Sequence, residues 1–392
     1  MRRVLVLLML LPGLLFAGDI TTLYDELALR HPDFFNTVPE DEADALVASL
    51  EAESGAYGKV EYWYALEKVA AIAHDSHTQV ALDAQVLTSM HFLPIGFDLF
   101  DEGLAVVWTG EGYEELLGQI VDTICGLDLD GLLALAGAWI SHDNEVHLTQ
   151  SLLDNHLVFH EFYETLALVE EGEDITIALS DGRLVDIPAL SFDEWAAMER
   201  KILQEAIPPT LNPADPYSAM LLDDPEALLL NYHSCVDWAA MPMADFALRV
   251  EELVRQEGFT KVIIDLRYNA GGDSSVINPL VDALERIQDE RGLEVYVLIG
   301  EDSFSSAILN ALTLRERLGA VLVGRPTGGS VSHFGELDSF VLPDTGLTCW
   351  YSTKWFDNGE KGPLMPDIFT PRHIEDYRTG RDGTLVQLGV VK

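Results

Sequence analysis

Two different hydrophobic periods divide the chain. From residue 19 to about 75, apolar residues recur at three-and-four spacing in DITTLYDELALRHPDFF and in EYWYALEKVAAIAHDSH, which predicts a helical N-terminal region ending near His77. Between residues 91 and 190 the pattern shortens. LAVVWTG and GQIVDTICG read as strands, DLDGLLALAGAWI as a helix, and EDITIALSDGRLVDIPAL as a hairpin turning at Asp181-Gly182, together a small mixed α/β domain. The proline-rich, acidic segment NPADPYSAMLLDDPEAL, around residues 212 to 227, reads as the connection into a last domain. From about 228 onward, apolar strands (KVIIDLR, EVYVLIG, AVLVG) alternate with helices (SSVINPLVDALERIQDE, SSAILNALTLRERLG), which predicts a mainly parallel sheet buried on both faces. FVLP and LTCWYST are expected to add strands at its edge. The predicted organisation is therefore residues 1–17 as a leader, 18–90 helical, 91–190 small α/β, and 191–392 as the α/β domain.

The leader assignment rests on MRRVLVLLMLLPGLLFAGDI: two arginines, an apolar run, then Phe16-Ala17-Gly18, the layout of a secretory signal peptide cleaved near Ala17. The run is shorter than the ~20 apolar residues of a spanning helix, and no cysteine follows it, so an exported protein, periplasmic or extracellular, is expected rather than an anchored one. The chain has 66 acidic residues against 23 Lys plus Arg, a formal charge of −43. Phosphates would be repelled, which argues against nucleic acid as a partner, and the acidic faces read first as solvated surface. By the same sign, an acidic cleft would favour cationic peptides. Cys125, Cys235 and Cys349 are widely spaced and odd in number, so neither a disulfide framework nor a Cys-x-x-Cys metal pair is expected.

Two loops carry candidate chemistry. In IIDLRYNAGGDSS a strand runs into Asn269-Ala270-Gly271-Gly272 before a helix, so bare N–H groups at Gly271 and Gly272 could hold an anion or a developing oxyanion. In EVYVLIGEDSFSSAILN another strand leads to Ser305 and Ser306 as the next helix starts. Serine there is a preferred N-cap, and it is also where a nucleophile turn exposes its hydroxyl; one serine of the pair can cap while the other reacts. Among the histidines, His333 in SVSHFGE is a candidate base. His156 and His160 lie four apart on a predicted helix, a zinc-type spacing that lacks a third ligand, so no metal or cofactor is expected. GLDLDG, residues 126 to 131, lacks the remaining positions of a calcium loop and reads as a turn into a helix.

Taken in order, DLRYNAGG, SFSSA, LGAVLVGRPTGG and LMPDI resemble the catalytic domain of the tail-specific (C-terminal-processing) proteases and the tricorn protease core, and AHDSHTQV resembles the "GD-G-H-T" segment of that superfamily. The resemblance spans roughly residues 60 to 370. It implies a crotonase-like core of ββα units, with the small domain at 91–190 in the place of a PDZ-like module, and a serine-type endopeptidase. It also implies Ser305 as nucleophile, nineteen residues before Gly324, with Ser306 and Gly271 or Gly272 supplying oxyanion N–H groups. The lysine that tail-specific proteases carry twenty-five residues further on is absent: position 330 is a serine. Ile308 also replaces the acidic residue of the usual helix start, and Lys354 in YSTKWF is a candidate to replace the lysine from another strand. The tricorn arrangement implies another set: His77 as base, preceded by Ser76, and Glu360 six residues before Pro366. The expectation is an acyl-enzyme peptidase acting on peptides or unfolded protein tails; the alternative is a non-proteolytic ligand- or peptide-binding protein on the same scaffold.

Overall fold

The computed structural model describes residues 18–204 and 215–391, so the expected signal segment, 1–17, lies outside the described residues. Three helices, Asp19–Arg30, Glu40–Glu53 and Lys59–Ala70, follow the predicted period, and their apolar faces enter one core with the small strands and helices of residues 84–197. The predicted hairpin forms from Ile175–Leu179 and Leu184–Ile187, with Val121–Ile124 as the third strand of that sheet. Ile95–Phe100, Gly103–Thr109 and Lys201–Ile202 make a second antiparallel sheet. Asp128 caps the helix Leu129–Ala136 by accepting from Gly131 N at 2.9 Å, the turn expected of GLDLDG. Among the described residues, no helix is long and apolar enough to cross a membrane.

The C-terminal half is built on a six-stranded sheet in the order Tyr217–Leu221, Ala227–Tyr232, Lys261–Asp265, Glu294–Ile299, Val321–Gly324, Ile368–Phe369. The first strand pairs antiparallel and the others pair parallel. Side chains alternate across it: Leu228, Leu230, Val262 and Ile264 face the helices Met243–Glu257, Asn278–Arg291 and Ser306–Leu318, while Leu229, Ile263 and Leu298 meet Leu385 and Val390 near the C-terminus. Both faces are therefore dry, which is why these strands are apolar throughout.

Three expectations are corrected. Tyr217–Leu221, read as part of a connection, is an edge strand, since the prolines that mark a loop lie on either side of it. FVLP and LTCWYST do not extend the parallel sheet; they belong to the hairpin His333–Val341 and Thr348–Phe356, which forms a separate sheet with Gln79–Val80. His156 and His160 do not share a helix: His156 closes Glu145–Asn155 and His160 opens His160–Thr165.

The strand Gln79–Val80 is the edge of its sheet, and side chains from the helix Lys59–Ala70 cover that edge. Trp63 Nε1 donates to the Val80 carbonyl at 3.1 Å, and Val80 N donates to Glu67 Oε1 at 2.6 Å. Burial pushes the Glu67 carboxyl up to about 8, against the opposing effect of the Val80 bond. Folded Glu67 thus keeps a proton that the unfolded chain releases above about 4.5. Its contribution to stability is complete below that pH and is lost as pH rises through about 8. Glu67→Gln, neutral and still able to accept from Val80, should flatten the fall in urea-unfolding stability between about pH 5 and pH 8. An unchanged slope would contradict this protonation.

Candidate active site

Ser305 stands at the start of Ser306–Leu318 with φ 51° and ψ −123°, a region that non-glycine residues seldom occupy and that costs of order 1–3 kcal/mol to hold. Its hydroxyl makes no capping bond to the helix, so the plain N-cap reading does not account for it. Ser305 is partly exposed, whereas Ser306 is buried and its hydroxyl donates to the Gly272 carbonyl at 2.6 Å. The adjacent serines differ accordingly: one anchors the glycine loop, and the other is strained and accessible.

Asn269 organises that loop. Its side chain donates to the Tyr232 carbonyl at 2.8 Å and accepts from Gly271 N at 2.8 Å, and its own carbonyl accepts from Phe304 N at 3.0 Å. The loop is thereby fastened to the residue before Ser305. Gly271 N–H is engaged by Asn269; for Gly272 N–H and Ser306 N–H no acceptor is found among the described residues. The approach is tight: a Cβ on Gly271, at φ 103°, would lie 2.8 Å from Ser305 Cβ and 3.0 Å from Ser306 N.

His77 enters from the other core, in the turn between the helical region and Gln79–Val80. Its ring packs against Phe304 at 4.5 Å between centroids and stacks with His333 at 5.7 Å. Both ring nitrogens lack a hydrogen-bond partner, as does buried Ser76 Oγ, so no bond from Ser305 Oγ to His77 is made in this state. Asp75, fully buried, sets the turn. Its Oδ1 accepts from His77 N at 3.0 Å and lies 3.6 Å from His77 Nδ1; its Oδ2 accepts from Thr78 Oγ1 at 2.6 Å and pairs with His31 Nε2 at 3.2 Å. Asp33 N donates to His31 Nδ1 at 3.2 Å, which makes Nε2 the protonated nitrogen and the donor to Asp75. Burial alone would push the Asp75 carboxyl up, but the bonds from His31, His77 and Thr78 outweigh it and hold the carboxyl well below the usual range.

Of the other predicted residues, Glu360 is exposed and makes no side-chain bond to Ser76 or His77; only its backbone carbonyl is used, accepting from Ser332 N at 3.0 Å. His333 is buried with Nδ1 at 2.9 Å from the Ser330 carbonyl. Lys354 is exposed, 3.4 Å from Glu336, and takes no part in the site. Ser330, at the position of the missing lysine, accepts from Asn144 Nδ2 at 2.9 Å. Asp143 beside it is pushed up to about 6, chiefly by burial and then by the charge of Asp75. Among the described residues, no group of His, Cys, Asp and Glu is arranged to hold a metal ion, and all three cysteines are free.

With this geometry in place, the fold can be compared. It is shared with solved structures of CPAF. Mature CPAF complexed with lactacystin matches at TM-score 0.63 and 14% identity over 94% of this chain and 96% of its own; mature CPAF alone matches at 0.61 and 14%, over 94% and 95%. The photosystem II D1 C-terminal processing protease follows at TM-score 0.41 and 12% identity, over 93% and 97%. No family model and no curated protein matches the chain. At such identities the fold is what is shared, and function has to be argued from the site.

Two substitutions test the geometry. Gly271→Ala should leave the protein folded but slow the reaction of Ser305 with a serine-directed electrophile about a hundredfold or more, measured as a labelling rate; an unchanged rate would show that the close approach has no bearing on Ser305. Asp75→Asn should cost about 3–5 kcal/mol in urea unfolding at pH 7. Because the folded carboxyl is depressed, that deficit should shrink as pH falls below the ordinary carboxylate range, and a deficit independent of pH would contradict the assignment.

Proposed function

We propose that the chain is an exported serine-type endopeptidase that cleaves peptides or unfolded protein tails through an acyl-enzyme on Ser305, with His77 as general base. The observation that carries this reading is the contrast within the serine pair: Ser306 is bonded to Gly272, while Ser305 is strained, uncapped and accessible. Ser305 Oγ attacks the scissile carbonyl and passes its proton to His77, which returns it to the leaving amine; water then repeats the sequence in reverse to release the acyl group. Gly272 N–H and Ser306 N–H receive the oxyanion. Asp75 orients the imidazole, in the place that the family resemblance gives to Glu360, and Ser76 lies beside it. The Ser305–His77 bond forms when substrate binds, as catalytic hydrogen bonds commonly tighten only in the complex.

In this reading the parallel sheet and its helices stand for a crotonase-like core, and residues 91–190 for a PDZ-like module that presents substrate. Export is argued from residues 1–17 alone. The second reading, a binding protein on this scaffold, is favoured by the absent lysine at position 330 and by the unpaired nitrogens of His77. A fluorophosphonate probe with mass mapping of the adduct separates the two. The peptidase reading expects an adduct on Ser305, none in Ser305→Ala, and partial labelling in Ser306→Ala. An unlabelled wild-type protein would leave the binding reading.

A further inference from the structure

A cleft of about 530 Å³ opens beside the candidate nucleophile, reached from Ser76, Ala270 and Phe304. Trp63, Ile140 and Phe159 give it apolar walls, and Asp154, Glu301 and Asp302 give it negative charge; no lysine or arginine is among its described lining residues. Two arginines act on these carboxylates without lining the cleft: Arg325 pairs with Glu301 and with Asp101, and Arg372, bonded to Asp98 at 2.5 Å, partly offsets the charge of Asp154 and Asp302, which leaves those two as the carboxylates without a bonded cation among the described residues. Three lining side chains that are more than nine-tenths buried present polar atoms without a partner, Ser76 Oγ, Ser141 Oγ and His156 Nδ1. A buried polar atom left unpaired costs about 1–3 kcal/mol, so three of them lining one cleft mark a place that a polar ligand completes.

Resting on the peptidase reading, we propose that this cleft is a substrate subsite for a cationic side chain, lysine or arginine, with Asp154 and Asp302 as the residues that select it. The aliphatic stem lies along the apolar walls and the charged end reaches the two carboxylates, which remain exposed to an incoming ligand. Crowding by the surrounding protein, and then the charges of Asp154 and Glu301, push the Asp302 carboxyl up to about 7; crowding and then the charge of Asp98 raise Asp154, against the bond from Gln150 and the charge of Arg372. A bound cation relieves that repulsion. Burial pushes His147 down to about 4 and His156 down to about 3, so both rings are neutral at pH 7 and add no charge that would repel it.

The test uses the full chain carrying Ser305→Ala, so that binding is read without turnover, and two dye-labelled pentapeptides that differ only in a central lysine or norleucine. Anisotropy titration at low salt should give at least a tenfold lower Kd for the lysine peptide. The preference should fall to about unity when Asp154→Asn and Asp302→Asn are added, with an unchanged melting temperature as evidence of folding. Those two changes remove at most two charges from a formal net −43, so the long-range attraction of the whole molecule survives them and a lost preference is local. Equal Kd values for the two peptides, or a preference that the double substitution leaves intact, would overturn the subsite. An unlabelled Ser305 together with lysine-selective binding would instead overturn the peptidase reading and leave the subsite standing.

Discussion

Everything near the site depends on the buried carboxylate of Asp75. It gathers three segments that are far apart in sequence: His31 from the end of the first helix, the backbone and ring of His77, and Thr78, whose hydroxyl in turn accepts from Ser352 N of the C-terminal hairpin at 3.3 Å. A carboxylate taken fully out of water is costly unless its oxygens are occupied, and here the occupants are the groups that fix the turn carrying the candidate base. The N-terminal helices thus do more than add a core; they supply the histidine that keeps this charge buried.

The second half of the site is held by opposite means. Around Ser305 the control is steric and carried by hydrogen bonds: Asn269 pins the glycine loop, Ser306 ties Gly272, and the missing Cβ of Gly271 makes room for Ser305. The two halves come from different hydrophobic cores and meet at the rings of His77 and Phe304. Their relative position therefore depends on packing between the cores, and no direct bond joins His77 to Ser305. At Ser330 the space of the absent lysine is taken by a bond to Asn144, the residue that caps the helix Glu145–Asn155. That contact links the helix Glu145–Asn155 to the loop next to Ser305.

The alternation of apolar strands and helices after residue 228 made the parallel sheet legible, because burial on both faces leaves a continuous apolar run. The serine pair and the His77 segment were legible through motif order. Asp75 was not: it stands inside AHDSHTQV, but its partner His31 lies 44 residues upstream, and no local pattern announces that they meet. Nor could composition separate Ser305 from Ser306, since the difference lies in one backbone dihedral and one hydrogen bond. The runs FVLP and LTCWYST marked strands of the C-terminal hairpin without saying which sheet they join, because a strand half-exposed at an edge and one in a separate ribbon share the same pattern. Glu360 was placed by counting back from a proline, and its side chain faces solvent while Asp75 meets the imidazole.

The central claim is that Ser305 and His77 act as nucleophile and base over an oxyanion site made by Gly272 and Ser306. A crystal structure of the protein after reaction with a fluorophosphonate tests it most directly. The account predicts a phosphonyl group on Ser305 Oγ, its oxygen about 3 Å from Gly272 N and Ser306 N, and a His77 ring nitrogen within hydrogen-bond reach of Oγ. An adduct on another residue, or one on Ser305 with His77 still turned to Asp75 and Phe304 beyond hydrogen-bond reach, would contradict it.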